Sequence, residues 1–258
     1  MSRLRAKCPD CLTYTAVALG PEYQCHACGR TFGAGLVRVP RAWGKGGEVM
    51  AEAARLPFPY PETAVIEEDS VEEQSLALAS DLPDRPLVLG GCCCAHIGAV
   101  EGLAARHGRI AVVWLDAHGD LNTPETSRSG NTWGMPLRMI FGSGAVSPAD
   151  TVLIGARNLD PPEETFIETS GLHTGTQGID AALGETDGIY IALDCDALAE
   201  EEVASFMPEP GGIPVAEAER ILELLQKRAP ILGAGLSGLR PEPANVAPVT
   251  RLCSALGL

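Results

Sequence analysis

Two apolar runs that close on alternating acids constrain this chain more than any other feature. The first, Ile110-Ala111-Val112-Val113-Trp114-Leu115, leads into Asp116-x-His118-x-Asp120. An unbroken apolar run of this length reads as a strand buried on both faces. Alternate residues of an extended chain share a face, so the three polar side chains can converge on one point beyond the strand end. Two carboxylates and an imidazole in that arrangement suit a divalent metal. The competing reading is a polar strand end, with Asp120-Leu121-Asn122 as an ordinary turn. The second run, residues 188–196, closes on Asp194 and Asp196. Two such strands in one sheet would enclose a shared space. Five ligands exceed the need of one ion, so a two-metal site is expected rather than two unrelated strand ends.

The rest of the chain alternates between strand and helix patterns. Strand candidates are 36–39, 63–67, 86–90, 150–157 and 230–239. Helix candidates are 48–55, 70–80, 95–107, 135–141, 215–228 and 249–256. Val215, Ala218, Ile221, Leu222 and Leu225 fall on one helical face. Residues 171–178 read as a connection and 199–210 as an acidic, solvated stretch. The alternation predicts a three-layer α/β/α domain around a mainly parallel sheet, with the site at the strands' carboxyl ends.

Four of the nine cysteines form a separate pattern. Cys8-Pro9-Asp10-Cys11 and Cys25-His26-Ala27-Cys28 are two knuckles with thirteen residues between them. Four thiolates so spaced close a tetrahedral shell around one structural zinc ion. Its ending, residues 28–32, resembles a zinc ribbon. We therefore expect a ribbon over 1–34 and the α/β domain over 35–258. Two disulfides are the alternative, disfavoured without a secretory leader.

Composition narrows the class. With 45% hydrophobic residues the chain can bury a stable core. It holds no apolar run near 18 residues, which argues against a membrane span and for a cytoplasmic protein. The net charge of −15 argues against nucleic acid as a partner. Residues 1–46 nonetheless hold seven Lys/Arg against two Asp/Glu.

The residues 114–122, Trp-Leu-Asp-Ala-His-Gly-Asp-Leu-Asn, are similar to the W-x-D-A-H-x-D-x-N motif of the ureohydrolase family, which includes arginase, agmatinase and formiminoglutamase. Asp194-Cys195-Asp196 resembles the family's D-x-D, and residues 208–213 its P-x-P-G-G-[LI]. The likeness runs from about Gly35 to the C-terminus. It implies an arginase-like fold and two Mn²⁺ ions, or Fe²⁺/Zn²⁺, held by Asp116, His118, Asp120, Asp194, Asp196 and a sixth ligand. Where the family has G-G-D-H, this chain has Gly90-Gly91-Cys92-Cys93. Cys93 thus takes the histidine's place, and a thiolate can ligate a metal. A buried free thiol, or ligation by His96, are the alternatives. The resemblance further implies a substrate-binding loop with Asn122, Ser127, Ser129 and Asn131, an ammonium site with Asp160 and Glu163, and a homo-oligomer.

The implied chemistry is hydrolysis of a planar C–N carbon by a metal-bridging hydroxide, with Asp120 holding and carrying its proton. The substrate would be a small, amino-acid-derived guanidino compound, with urea or hydroxyurea released. Two positions depart from the pattern. Trp133 stands where the family's S-G-N-x-H-G has a proton-shuttling histidine, and Gly238 where V-E-x-N-P has a glutamate that grips the guanidinium. Without that anion a less basic N-hydroxyguanidine is the better fit, as in the family's hydroxyarginine-hydrolase branch, which the cysteine exchange also resembles. The alternatives are a formimidoyl or other amidine hydrolase, and an inactive binding or assembly module. Gly238→Glu would then favour guanidinium substrates, unless the glycine serves the backbone.

Overall fold

In the computed structural model, which describes residues 4–258, the chain forms two sheets. The first is antiparallel, in the order β1 (Arg5–Ala6), β2 (Ala16–Leu19), β3 (Glu22–Cys25), β4 (Thr31–Phe32). The second contains β5 (Gly35–Val39), β6 (Glu62–Val65), β7 (Pro86–Gly90), β8 (Ala111–Leu115), β9 (Thr151–Ile154), β10 (His173–Thr174), β11 (Ile189–Asp194) and β12 (Ile231–Ser237). Its order is β10-β9-β8-β11-β12-β7-β5-β6, and every pairing is parallel. The helices are α1 (Glu48–Ala53), α2 (Val71–Asp81), α3 (Ala95–His107), α4 (Pro136–Ser143), α5 (Pro161–Ser170), α6 (Ile179–Leu183), α7 (Val215–Arg228) and α8 (Val246–Ala255). Residues 1–3 of the expected ribbon lie outside the described residues.

The three-layer α/β/α architecture follows from strand alternation. Leu87, Leu89, Val113, Leu115, Ile191 and Leu193 face one core, shared with α6, α7 and α8. Val88, Val112, Trp114, Tyr190 and Ala192 face the other, with α3 and α4. Burial on both faces is why these runs are continuously apolar. Their parallel direction brings the ends of β7, β8, β11 and β12 to one edge.

The small sheet docks at the opposite edge. Lys7 and Glu62 exchange backbone hydrogen bonds of 2.8 and 3.0 Å at the start of β6. The Tyr23 ring lies against Gly35, the first residue of β5. The cysteine cluster is therefore remote from the carboxyl ends.

Several boundaries differ from expectation, each for a local reason. Strand β9 stops at Ile154 because Gly155 turns at φ +94°. Strand β12 stops at Ser237 because Gly238 turns at φ +71°. Residues 199–210 are solvated only in part: Glu200, Glu201 and Glu202 are exposed, but Val203 and Ser205 are buried, and the Phe206 N–H donates to the Gly238 carbonyl at 2.7 Å. Among the described residues no helix is long and apolar enough to cross a membrane.

Candidate metal centre

Strand ends deliver every candidate ligand. Cys93 follows β7, Asp116 follows β8, and Asp194 closes β11. Asp116 is fixed on both oxygens: Oδ1 accepts the His118 N–H at 2.7 Å and Oδ2 the Trp114 Nε1–H at 3.0 Å. The His118 Nδ1 lies 3.0 Å from Asp196 Oδ2 and 3.5 Å from Asp116 Oδ1. Asp194 Oδ1 accepts the Asp196 N–H at 3.0 Å, and its Oδ2 accepts from Cys93 Sγ at 2.9 Å.

Two ligand groups result. Atoms of Cys93, Asp116 and Asp120 lie within 4.8 Å of one another, as do those of Asp116, His118 and Asp196. Asp116 belongs to both, and Asp194 to neither, though its Oδ2 lies 2.9 Å from Cys93 Sγ. The structure thus brings Cys93 into the cluster. It places His96 behind it, bonded to Ser237 and Tyr190 instead.

The electrostatics call for a cation. Burial, reinforced by neighbouring carboxylates, raises Asp116 and Asp120 above the usual range, Asp194 to about 7 and Asp196 to about 6. Burial opposes protonation of His118, but Asp116 and Asp196 outweigh it and push the imidazole up to about 12. Asp120 is held at φ +53°, rare for a residue with a side chain, and its buried Oδ2 has no hydrogen-bond partner. Backbone strain together with an orphaned anionic oxygen is what a site shaped for bound metal should show. The residues present fit two divalent ions sharing Asp116.

A cavity of about 250 Å³ opens over this cluster. Asn122, Ser127, Ser129, Asp160 and Glu163 line it, with Met50, Trp133, Phe206 and Met207 as an apolar side. The Asn122 Nδ2–H donates to Asp160 Oδ2 at 3.1 Å. One expected contact falls outside the cavity, and another has a second role. Asn131 does not line the cavity, since its Oδ1 accepts the Lys45 N–H at 2.9 Å. Glu163 is occupied by backbone: its oxygens accept the Leu121 and Asp160 N–H groups, each at 2.9 Å. It caps α5 and holds the Asp120 loop while still lining the cavity.

The departures are also structural. The Trp133 ring meets Phe206 edge-on at 5.9 Å. A Cβ on Gly238 would lie 2.1 Å from Asp194 Oδ1, besides requiring φ +71°. A glutamate there would strike a ligand before reaching a substrate, so the glycine serves the backbone. One polar neighbour escaped the sequence reading: Glu209 Oε1 lies 3.5 Å from His118 Nε2 and accepts from Asn158 Nδ2 at 2.7 Å. Its P-x-P-G-G context was visible, but nothing in it pointed at His118.

The second cluster comprises Cys8, Cys11, Cys25 and Cys28. Sulfur separations of 4.0 Å (Cys8–Cys28) and 3.9 Å (Cys25–Cys11) are too long for disulfides. They match the edge of about 3.8 Å for a tetrahedron of sulfurs each ~2.3 Å from zinc. Both knuckles turn alike, with positive φ at Leu12 and Gly29 just after the second cysteine.

The arginase family's sequence profile matches residues 47–255. The arginase of Bacillus subtilis (strain 168) is 35% identical over 182 residues, 60% of this chain and 62% of that protein. The arginase of Bacillus caldovelox is 34% identical over 183 residues, 60% of this chain and 61% of that protein. The chain thus spans less than two thirds of the length of the curated relatives it matches. Among solved structures, arginase from Bacillus subtilis superposes with a TM-score of 0.75 at 25% identity, covering 86% of this chain and 97% of that one. Formimidoylglutamase from Bacillus subtilis subsp. subtilis str. 168 shares the fold, with a TM-score of 0.66 at 18% identity, over 86% of this chain and 85% of that one.

Proposed function

This chain belongs to the arginase family, and on that premise we propose that it is a two-metal hydrolase of a guanidino-type, amino-acid-derived substrate, with N-hydroxyguanidines as the preferred class. One observation carries the reading: Asp116 is common to two ligand groups, beside the strained Asp120 with its orphaned oxygen. When bound, two divalent ions would polarise the reacting carbon's substituents and activate water for attack.

The chain's own residues divide the remaining work. Asp120 Oδ2, buried and free of partners, is placed to accept the water's proton and release it to the departing nitrogen. Ser127, Ser129 and Asn122 offer hydroxyl and amide groups for a substrate carboxylate, and Asp160 an oxygen for its ammonium. Gly238 adds no carboxylate of its own to the cavity wall, which supports a substrate end less basic than guanidinium. Trp133 cannot titrate, and this favours a second reading, a module that binds an amidine without turning it over.

The test is a urea-, hydroxyurea- and ammonia-release screen of Mn²⁺-loaded protein against guanidino, N-hydroxyguanidino and formimino amino acids, with metal analysis. Two ions per chain besides zinc, and turnover of an N-hydroxyguanidine, are expected. Preferred turnover of arginine would remove the substrate preference. Turnover of formimino compounds alone would make it an amidine hydrolase of another kind. Two bound ions with no turnover would favour the binding module.

A further inference from the structure

Three buried polar side chains behind the metal centre have no part in the chemistry above. His96 Nδ1 lies 3.0 Å from the Tyr190 hydroxyl, and its Nε2 lies 3.1 Å from Ser237 Oγ. Ser237 Oγ is in turn 3.1 Å from Asp194 Oδ2 and 3.1 Å from Cys93 Sγ. None of the three lines the cavity, and each is wholly buried.

We propose that Tyr190, His96 and Ser237 are positioning residues, a one-way chain of hydrogen-bond donors that holds Asp194 and the Cys93 sulfur in place as ligands to one ion; it rests on the metal-site reading above.

The two ends of the chain fix its direction. A carboxylate only accepts, so Ser237 O–H donates to Asp194. Its oxygen must then accept from His96 Nε2–H. The bare Nδ1 accepts the phenolic proton of Tyr190. Three donors thus run one way and end at the ligands. The imidazole is kept neutral by burial, which lowers it to about 3, as this tautomer requires.

The surroundings are cut to this chain. A Cβ on Gly235, in the middle of β12, would lie 2.3 Å from the Tyr190 oxygen and 2.4 Å from His96 Nδ1. A glycine inside a strand weakens it unless something needs the room, and here the Tyr190–His96 contact occupies that room. The Trp114 ring meets His96 edge-on at 5.2 Å, while its N–H holds Asp116. One aromatic cluster therefore anchors two candidate ligands. A thiolate and a carboxylate on one ion repel each other. Ser237 gives its one proton to Asp194 and so fixes that carboxylate beside the Cys93 sulfur, and outer contacts of this kind set ligand geometry.

The test uses full-length protein with its ribbon zinc retained, titrated with Co²⁺. The absorption lost in Cys93→Ser identifies thiolate-to-cobalt charge transfer at this site. Ser237→Ala and His96→Leu should each weaken the Cys93-dependent binding about 10- to 100-fold and shift that band. The double variant should be no weaker than the worse single one, since both break one chain. His96→Gln, which keeps a donor and an acceptor, should restore part of the affinity. If His96→Leu does not fold, Ser237→Ala and Tyr190→Phe, each losing one oxygen, carry the comparison. Unchanged band and affinity, or additive losses in the double variant, would overturn the assignment and leave the proposed function standing. A wild-type protein with no Cys93-dependent cobalt binding would end both.

Discussion

Gly238→Ala should disable the metal site rather than retune substrate choice. The added Cβ would sit 2.1 Å from Asp194 Oδ1, where ordinary contact begins near 3.4 Å. Either the carboxylate or the end of β12 must move by more than an ångström. The left-handed backbone at φ +71° adds about 1–2 kcal/mol for any side chain. Asp194 Oδ1 also accepts the Asp196 N–H at 3.0 Å, so moving it disturbs both acids. One buried hydrogen bond lost is worth roughly 1–3 kcal/mol. Together these give about 2–5 kcal/mol of destabilisation, or a Tm lower by roughly 4–20 °C for a chain of this size. Mn²⁺ affinity should fall by about 10- to 100-fold, the usual effect of a misplaced ligand support. Thermal unfolding of the metal-free variant gives the first number, and calorimetric Mn²⁺ titration the second. A folded Gly238→Ala protein that takes up Mn²⁺ like wild type would refute the argument, because the collision would have been relieved at no expense to Asp194.

Other substitutions separate the parts of the site. Asp116→Asn should abolish binding of both ions, whereas His118→Ala should lose one; metal analysis after gel filtration distinguishes them. Cys25→Ser should release the ribbon zinc and destabilise the small sheet while Mn²⁺ uptake persists, and unchanged zinc content would exclude four-thiolate ligation. Asp160→Asn should raise KM by about tenfold for an amino-acid-derived substrate through loss of a charged contact, whereas Asn131→Ala, turned toward Lys45, should leave KM within twofold in the same assay.

What could be read from the sequence was whatever depends on local geometry. Two acid-closed strands side by side were enough to gather Asp116, His118, Asp120, Asp194 and Asp196, but not through extended alternation: Asp120 sits at φ +53° and Asp196 in a 3₁₀ turn, Cys195–Ala197, so the turns beyond β8 and β11 aim these side chains. A knuckle of two cysteines is likewise a local device. What could not be read depends on contacts distant in sequence. His96, Tyr190 and Ser237 lie on three different elements, and only β11 and β12 pairing side by side, with α3 packed over them, brings the three together. The family resemblance assigns Asn131 to the substrate loop, but a backbone N–H from Lys45 claims it. Helix α5 was legible and missed. Asp160-x-x-Glu163 is a capping box with proline at the first helical position, and assigning those acids to a substrate obscured their use as a cap.

The departures from the family pattern are not scattered. Cys93 follows β7, and Ser237 and Gly238 end β12, the adjacent strand, with Leu89 paired to Leu236 and the Gly238 N–H donating to the Gly91 carbonyl at 3.2 Å. Trp133 joins the same corner through Phe206, whose N–H bonds Gly238. The β8 and β11 ends, which carry Asp116, His118, Asp194 and Asp196, keep the pattern. One side of the centre is thus unchanged and the other is altered as a packed unit. Within that unit the changes depend on each other. Gly238 leaves room for Asp194, Asp194 bonds Cys93 and Ser237, and Ser237 is the contact between Cys93 and His96. Restoring a single family residue at this corner therefore meets a neighbour fitted to the altered set. The substrate preference proposed above rests on this corner, which lines the cavity through Cys93, Trp133, Phe206 and Gly238.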